Sequence, residues 1–496
     1  MTGFRLTKFS EWGGISFLAG VAMAVCFAAF VPLPSLRGPE VVSFLTYFLL
    51  ASSAYFLSVI RLDRDRLPIS LIWGLALVFR LILLFTSPTL SDDIFRYIWD
   101  GHLFNNSINP YALPVNSPLL DPFDIPLRAL VNNNWMASPY LPVAQIHFAY
   151  LYRIATGNVL VFQFAAVALD LLTGWLVLDI LKLLRLPRRR VLIYLWNPLI
   201  IVEFAQGGHI DSLMITLVMA TFWILVKAKP GPLHENKLRS TSVLTLAGAT
   251  LTKVVPVLLV PVVIRRWGWR RLSLYMAILL VVSALFTIGA GWGLIGPIDG
   301  KGLFGAIRIY TNYWNYNSGF YHWLEVWLTG YSTPGAVPPE AVEQGRILLA
   351  KMITTGLLGL SVLATGLWAW RIDDPKGADS ETRNLGLLRL AVIPIGAYLL
   401  LSPTLHPWYV TLIVPFLPFL LPKKDEIPIP GRFVWPWLYL SIAVAVSYIT
   451  YIDPQNLREF TWVRNVEYLP FFGLFAWAAL TGLWQTFSQQ RNRAPL

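Results

Sequence analysis

Two adjoining stretches decide the fold: LPISLIWGLALVFRLILLF at residues 67–85 and, just beyond it, SDDIFRYIWDGHLFNNSINPY at residues 91–111. The first approaches the roughly 20 apolar residues that cross a hydrocarbon core of about 30 Å. The second sets three carboxylates, an arginine and several aromatics directly at the edge of that run. A chain built of such alternations is a polytopic membrane protein with polar chemistry at the membrane surface.

The rest of the sequence repeats the pattern. With 56% hydrophobic residues and a mean hydropathy of +0.58 over 496 residues, it is too apolar for a soluble fold. Runs of spanning character recur at 15–31, 41–60, 159–184, 191–205, 212–226, 272–290, 347–370, 385–401, 407–421, 433–451 and 468–484. Residues 243–264 are interrupted by Lys253 and two prolines, so they read as two short helices or a re-entrant hairpin. The expected fold is an all-α polytopic membrane protein of about 12 to 14 transmembrane helices. The whole chain, 1–496, reads as one integral membrane domain.

A net charge of +12 would point to nucleic acid in a soluble protein. Here Lys and Arg gather instead in alternate connections: Arg61, Arg64 and Arg66; Arg185, Arg188, Arg189 and Arg190; Lys227, Lys229, Lys237 and Arg239; Arg265, Arg266, Arg270 and Arg271; Arg371, Lys376 and Arg383; Lys423, Lys424 and Arg432. The positive-inside rule makes these connections and both termini cytoplasmic, so the expected partner is the lipid bilayer and not nucleic acid. The opposite face then owns two long loops, 88–157 and 292–345, expected to contain amphipathic helices. Arg5 and Lys8 ahead of the first run read as part of a retained signal anchor. The single cysteine, Cys26, lies inside that run, so no disulfide is expected to brace the outer loops.

Some motifs are discounted. Gly291, Gly293 and Gly296 spell GxGxxG, but an apolar span precedes them where a dinucleotide site needs a strand. His209 and Asp211, at i and i+2, do not share a helix face as metal ligands. Asn105 heads a sequon that matters only in a host that glycosylates.

In the 91–111 stretch, Ser91 follows the break at Pro88 and is placed to cap a helix whose first turn holds Asp92 and Asp93. Phe95, Trp99 and Leu103 recur along it at intervals of four. Acidic residues in a first turn complement the helix dipole and need no further role. Asp93, Arg96, Tyr97 and Asp100 nevertheless fall at i, i+3, i+4 and i+7 and share one face. A polar stripe lying flat at a bilayer surface suits an amphiphilic substrate. Spacing alone leaves both readings open.

The run SDDIFRYIWDG, followed by INPYA and SPYLPVAQIHFAY, resembles the first large extracytoplasmic loop of membrane glycosyltransferases of the GT-C superfamily. Within it, the resemblance is to polyprenyl-phosphate-mannose-dependent mannosyltransferases and the related DUF2029 (glycosyltransferase family 87-like) proteins. The similarity continues through WNPLIIVEFAQGGHID at 196–211, TLTKVVPVLLVP at 250–261, YWNYNSGFYHWL at 313–324 and LSPTLHPWYV at 401–410, in the expected order. The resemblance implies an enzyme of the prokaryotic plasma (inner) membrane that moves a hexose, mannose first among them. The donor is polyprenyl-phosphate-linked, the acceptor a glycan or glycolipid, and the reaction lies on the extracytoplasmic face. An acidic residue of the first large loop serves as general base; Asp92 matches it best, with Asp93 in reserve. In such enzymes the acid follows the first helix, whereas two extra spans precede it here. A DxD-like motif is common in these loops, but this chain reads Asp92, Asp93, Ile94. A divalent cation is therefore left open, and no other cofactor is expected.

The chemistry agrees. An acceptor hydroxyl that attacks an anomeric carbon must lose its proton to a carboxylate within hydrogen-bond reach. The departing polyprenyl phosphate calls for fixed cations, and Arg96, His209, Lys253 and His406 sit at or near outer helix ends. Lys253, inside an apolar run, needs a ligand or a partner, and pairing with Glu203 or snorkelling is its structural alternative. In the second loop Tyr310, Tyr313, Trp314, Tyr316, Phe320, Tyr321 and Trp323 are interleaved with Asn312, Asn315, Asn317 and His322. Trp314 and Asn317 read as sugar contacts; an interfacial aromatic belt explains the rest equally well, as it does Trp408 and Tyr409. The alternative function is a transporter or flippase of a lipid-linked or amphiphilic substrate, which should concentrate ionisable residues near the midplane and repeat its halves. A noncatalytic assembly subunit is a third class.

Overall fold

Inside hydrocarbon every backbone N–H and C=O must be satisfied within its own segment, which commits the apolar runs to helix. The computed structural model describes residues 14–228, 232–295, 299–329, 341–373, 379–423 and 429–493, and among them no β-strand occurs. Arg5, Lys8, Lys229, Gly296, Lys376 and Lys424 lie outside the described residues.

The chain is all-helical. Its principal helices are α1 (Gly14–Ala28), α2 (Glu40–Ile60), α3 (Ile69–Leu83), α4 (Asp93–Asn105), α5 (Pro142–Ile154), α6 (Val159–Leu183) and α7 (Asp211–Lys227). They continue as α8 (Pro232–Thr250), α9 (Val260–Phe286), α10 (Gly305–Tyr313), α11 (Phe320–Thr329), α12 (Ala341–Ile372), α13 (Ser380–Leu401), α14 (Val434–Ala443) and α15 (Thr461–Arg493). Among the described residues six stretches suffice by length and composition to cross a membrane: Glu40–Ile60, Val159–Leu183, Val255–Phe286, Gly345–Ile372, Ser380–Leu401 and Val434–Ile452. Gly14–Ala28, Ile69–Leu83 and Pro407–Leu420 are apolar but shorter.

Two runs that read as single spans are broken, for visible reasons. Across 191–206 the chain makes short turns at Leu192–Leu195 and Pro198–Ile201 and a π turn at Val202–Gln206. Asn197 restarts the helix by accepting the Leu199 and Ile200 N–H groups at 3.1 and 3.3 Å. Across 407–420, Pro407, Pro415 and Pro418 remove helix donors and divide the run into short turns.

Buried polar pins hold the broken 191–206 segment in the bundle. Arg80 on α3 pairs with Asp170 on α6, both inaccessible to solvent. Arg80 Nη1 also donates to the Ala76 and Leu195 carbonyls, each at 2.9 Å, and Tyr194 Oη donates to Asp170 Oδ1 at 2.7 Å. Trp196 Nε1 reaches the Ile72 carbonyl at 2.9 Å, and Asn197 Nδ2 reaches Ser441 Oγ at 2.9 Å.

The interrupted segment at 243–264 does turn back on itself. α8 ends at Thr250, the chain breaks around Lys253, and a 3-10 turn at Val255–Leu259 leads into α9. Its two ends meet: Arg239 Nη1 donates to the Arg266 carbonyl at 2.8 Å and Trp267 Nε1 to Ser242 Oγ at 2.9 Å. The arms are longer than the two short helices expected, because α8 begins well before the apolar run and α9 continues past a break at Gly268, whose φ is 65°. This hairpin carries Lys253 at its turn.

Several of the basic connections touch one another. Arg185 and Lys423 both approach Glu381, at 3.2 and 4.0 Å. Arg190 donates to the Leu421 and Pro422 carbonyls at 2.8 and 2.6 Å, and Arg266 pairs with Asp373 at 2.7 Å.

Candidate functional site

α4 begins at Asp93, with Asp92 at its N-cap position and the Ser91 hydroxyl accepting the Asp93 N–H at 3.3 Å. The helix does not lie open at a surface. Trp99 and Leu103 pack against Val115, Leu120 and Val131, while Tyr97 stacks on Phe148 of α5 at 4.6 Å. Gly101 allows this contact, since a Cβ there would stand 2.5 Å from the Phe148 carbonyl oxygen. The polar stripe read from the spacing therefore splits: Asp93 and Arg96 reach a cavity, whereas Tyr97 and Asp100 turn into the packing with α5.

The cavity has a volume of about 790 Å³, within the roughly 300–1,000 Å³ of ligand pockets. It gathers the start of α4, loop 132–141, the Lys253 turn, α10, one face of α12, and residues 398–412 and 451–457. Of the residues singled out from sequence, Asp92, Asp93, Arg96, Lys253, Trp314 and His406 line it; Tyr97, Asp100, His209 and Asn317 do not.

Each carboxylate is held differently. Asp92 faces Arg37 Nη1 with both oxygens, at 3.0 and 3.1 Å. Asp93 accepts from Asn132 Nδ2 at 3.2 Å and lies beside the Tyr140 hydroxyl. Asp211, buried at the start of α7, takes Lys253 Nζ at 2.7 Å. Lys253 thus pairs with Asp211 and not with Glu203, the partner considered from sequence. Glu203, turned inward by the π turn, accepts from Tyr448 Oη at 2.7 Å and faces His209 Nε2 at 3.2 Å.

Aromatic rings form the opposite wall. Lys253 Nζ lies 5.2 Å from the Tyr409 ring centre, the Tyr409 and Tyr310 hydroxyls meet at 2.6 Å, and Tyr310 stacks on Trp314 at 5.6 Å. Behind them His209, Trp408, His406 and Tyr316 stack in a column with centre separations of 4.3, 4.5 and 4.8 Å. Gly208, at φ 64°, reverses the chain ahead of His209. The column is locked to the second loop by backbone bonds: Tyr316 N donates to the Pro403 carbonyl and Leu405 N to the Tyr316 carbonyl, at 3.2 and 2.8 Å. Burial pushes the His406 imidazole down to about 3, so at neutral pH it is an uncharged hydrogen-bonding group and not the cation expected of it.

Three more expected ligands are spent on structure. Arg96, 2% exposed, donates to the Asn133 carbonyl at 3.0 Å and the Met136 carbonyl at 3.3 Å. It thereby fixes the loop that brings Asn132 to Asp93. Asn317, in the left-handed region at φ 47°, binds Glu467 at 2.7 Å and receives the Tyr468 hydroxyl at 2.7 Å. Asp100 accepts from Ser138 and, at 3.0 Å, from Gln145 on the same oxygen. Among the described residues no group of three or more His, Cys, Asp or Glu is placed to hold a metal ion.

Burial raises the Asp100 carboxyl above its ordinary value, against the opposing effects of Arg96, Ser138 and Gln145. The folded chain then holds this proton more tightly than the unfolded chain, so the stability it adds is present at low pH and falls as pH rises from about 4 through the raised value. Asp100→Asn keeps an acceptor oxygen for both donors, and it is expected to fold and to abolish this part of the pH dependence. Thermal unfolding of the detergent-solubilised protein across pH checks it; an unchanged slope defeats the assignment.

Arg37, Asp211, Asn132, Tyr140, Lys351 and Tyr451 also line the cavity and were not selected from sequence as ligands. Asp211 left one signal, an acid at the head of an apolar run. Arg37 and Tyr451 left none.

Membrane-length helices around an acid- and aromatic-lined cavity define a helical membrane protein with a ligand-sized site, and sequence similarity places it among GT-C mannosyltransferase-like proteins. The sequence model described as alpha-(1->6)-mannopyranosyltransferase, N-terminal domain, matches residues 16–269, just over half of the 496 residues, and the chain belongs to that family. Alpha-(1->6)-mannopyranosyltransferase A of Mycobacterium tuberculosis (strain ATCC 25618 / H37Rv) is 22% identical over 431 residues, covering 75% of this chain and 73% of that protein. No solved structure matches. The matched segment includes Asp92, Asp93, Asp211 and Lys253; Trp314 and His406 lie beyond it.

Proposed function

We propose that the chain transfers mannose from a polyprenyl-phosphate-linked donor to a glycan or glycolipid acceptor at the extracytoplasmic face of a prokaryotic plasma membrane. The observation that carries this reading is one cavity in which the adjacent carboxylates Asp92 and Asp93 share space with Lys253, Trp314 and His406 and with the face of a membrane-length helix. The acceptor oxygen attacks the anomeric carbon, the bond from that carbon to the phosphate oxygen breaks, and the hydroxyl proton passes to a carboxylate. What supports Asp93 as the base, ahead of Asp92, is the difference in partners: Asp92 has both oxygens on a guanidinium, while Asp93 has a neutral amide and a phenol. Lys253 and the uncharged His406 ring are the groups suited to the leaving phosphate. The mutual contact of the basic connections supports an inner side distinct from the cavity's side.

The test is transfer by the purified protein from short-chain polyprenyl-phosphate mannose to manno-oligosaccharides, with glucose- and galactose-bearing donors as controls. Lys253→Ala is expected to lower transfer about a hundredfold, equivalent to about 3 kcal/mol. Absence of turnover with every donor would sink the enzyme reading, and full activity of Lys253→Ala would remove that residue from the site.

A further inference from the structure

The cavity lining holds two groups of residues that differ in chemistry. Val254, Val255, Thr354, Thr355, Leu358 and Leu401 form one, and all but Val254 belong to the membrane-length stretches Val255–Phe286, Gly345–Ile372 and Ser380–Leu401. The first two of these stretches are largely uncovered by protein, as helices facing lipid would be, whereas Ser380–Leu401 is more than half buried. The other group is Arg37, Asp92, Tyr451, Pro454 and Leu457. Arg37, Pro454 and Leu457 come from connections outside those spans, and Leu457 is 57% exposed.

This second group is a built arrangement. The Arg37 guanidinium lies 4.5 Å above the Tyr451 ring centre while its Nη1 engages both Asp92 oxygens. The backbone is tied at the same place, because Gly38 N donates to the Tyr451 carbonyl at 2.8 Å and Leu36 N to Thr89 Oγ1 at 2.9 Å. Side-chain exposures of 21% for Arg37 and 32% for Asp92 leave both within reach of a ligand.

We propose that Arg37 and Asp92 form the acceptor subsite and that it takes the uncharged end of a saccharide. This rests on the transferase reading above. A sugar presents neighbouring hydroxyls that both donate and accept, and a guanidinium beside a carboxylate offers both functions together. Pro454 and Leu457 supply apolar contact for the C–H face of a ring. The charges of Arg37 and Asp92 offset one another, as those of Lys253 and Asp211 do, so neither pair alone attracts a phosphate or carboxylate; the cation that distinguishes the rest of the lining is Lys351, whose Nζ donates to the Thr311 carbonyl at 3.0 Å. Tyr451 is a positioning residue that sets the guanidinium plane. Asp92 then binds acceptor while Asp93, next to it in the chain, takes the proton.

The experiment uses full-length protein in detergent with short-chain polyprenyl-phosphate mannose as donor. A soluble manno-oligosaccharide is the acceptor in one arm and the same oligosaccharide on an alkyl chain in the other. Arg37→Gln and Tyr451→Leu are expected to raise the acceptor KM at least tenfold in both arms, with donor KM within twofold of wild type. Arg37→Lys should recover charge but not the two-oxygen geometry, and so remain impaired. If only the alkyl-linked acceptor is used, the source is a glycolipid; if both are used, the glycan alone suffices. A shift in donor KM, or an unchanged acceptor KM, overturns the assignment. Should wild type transfer from no donor, the transferase reading fails, and the subsite is judged by binding of the manno-oligosaccharide in thermal-shift titration. Binding lost in Arg37→Gln upholds it, and equal or absent binding in wild type and variant refutes it.

Discussion

Asp93→Asn is expected to lower mannosyl transfer by about a hundredfold or more, with the protein still folded and still binding the lipid donor. Asn preserves an acceptor for the Asn132 amide, which lies 3.2 Å from Asp93 Oδ1, so the loop at 132–136 keeps its contact. A first-turn carboxylate contributes only about 0.3–1 kcal/mol through the helix dipole. A structural account therefore cannot explain a loss of two orders of magnitude in turnover. Asp92→Asn is the control: it weakens the Arg37 pair and is expected to raise acceptor KM, with a much smaller fall in kcat. The measurement is steady-state transfer with each substrate varied in turn, beside donor binding. Wild-type kcat in Asp93→Asn would defeat the base assignment, and a dead Asp92→Asn beside an active Asp93→Asn would move the base one residue back.

Asp170→Ala is the second large effect, and it acts on stability. Arg80 and Asp170 are both fully buried, and Asp170 also holds Tyr194. Removing the carboxylate leaves a guanidinium in the bundle with only the Ala76 and Leu195 carbonyls as its named partners, a loss of about 3–5 kcal/mol for a broken buried pair. The variant should be recovered from membranes in much lower yield and unfold at lower temperature in detergent. Replacing both partners, as Arg80→Met with Asp170→Leu, removes both desolvation costs and should regain most of the loss. A single variant as stable as wild type would show that the pair is not what pins the 191–206 segment.

The contrast between α4 and the Lys253 turn shows how far the sequence could be read. In both, an ionisable residue beside an apolar run marked a place that needs a partner, and Asp92, Asp93 and Lys253 do line the cavity. Helical spacing also assigned Asp93, Arg96, Tyr97 and Asp100 to one face. It could not say what that face meets, because the approach of α5 depends on Gly101 and on residues about forty positions further on. Asn317 was chosen for its amide among aromatics, yet that amide is used by Glu467, far along the chain. Lys253 was weighed against Glu203, and only the packing of α7 against the hairpin supplies Asp211 instead.

The sequence by itself determined that this chain is a helical membrane protein, that its cations gather in alternate connections, and that ionisable residues stand at the edge of an apolar run near residue 92, where they line the cavity. These follow from local physics: the cost of unsatisfied backbone in hydrocarbon, the cost of isolated charge there, and the charge bias of insertion. The tertiary structure alone decided which carboxylate is paired to Arg37, which cation is neutralised by Asp211, and that His406 is held between Tyr316 and Trp408. The Lys253–Asp211, Arg37–Asp92 and Tyr316–His406 contacts join side chains 42, 55 and 90 residues apart, and short-range periodicity carries no information about which distant segment packs alongside.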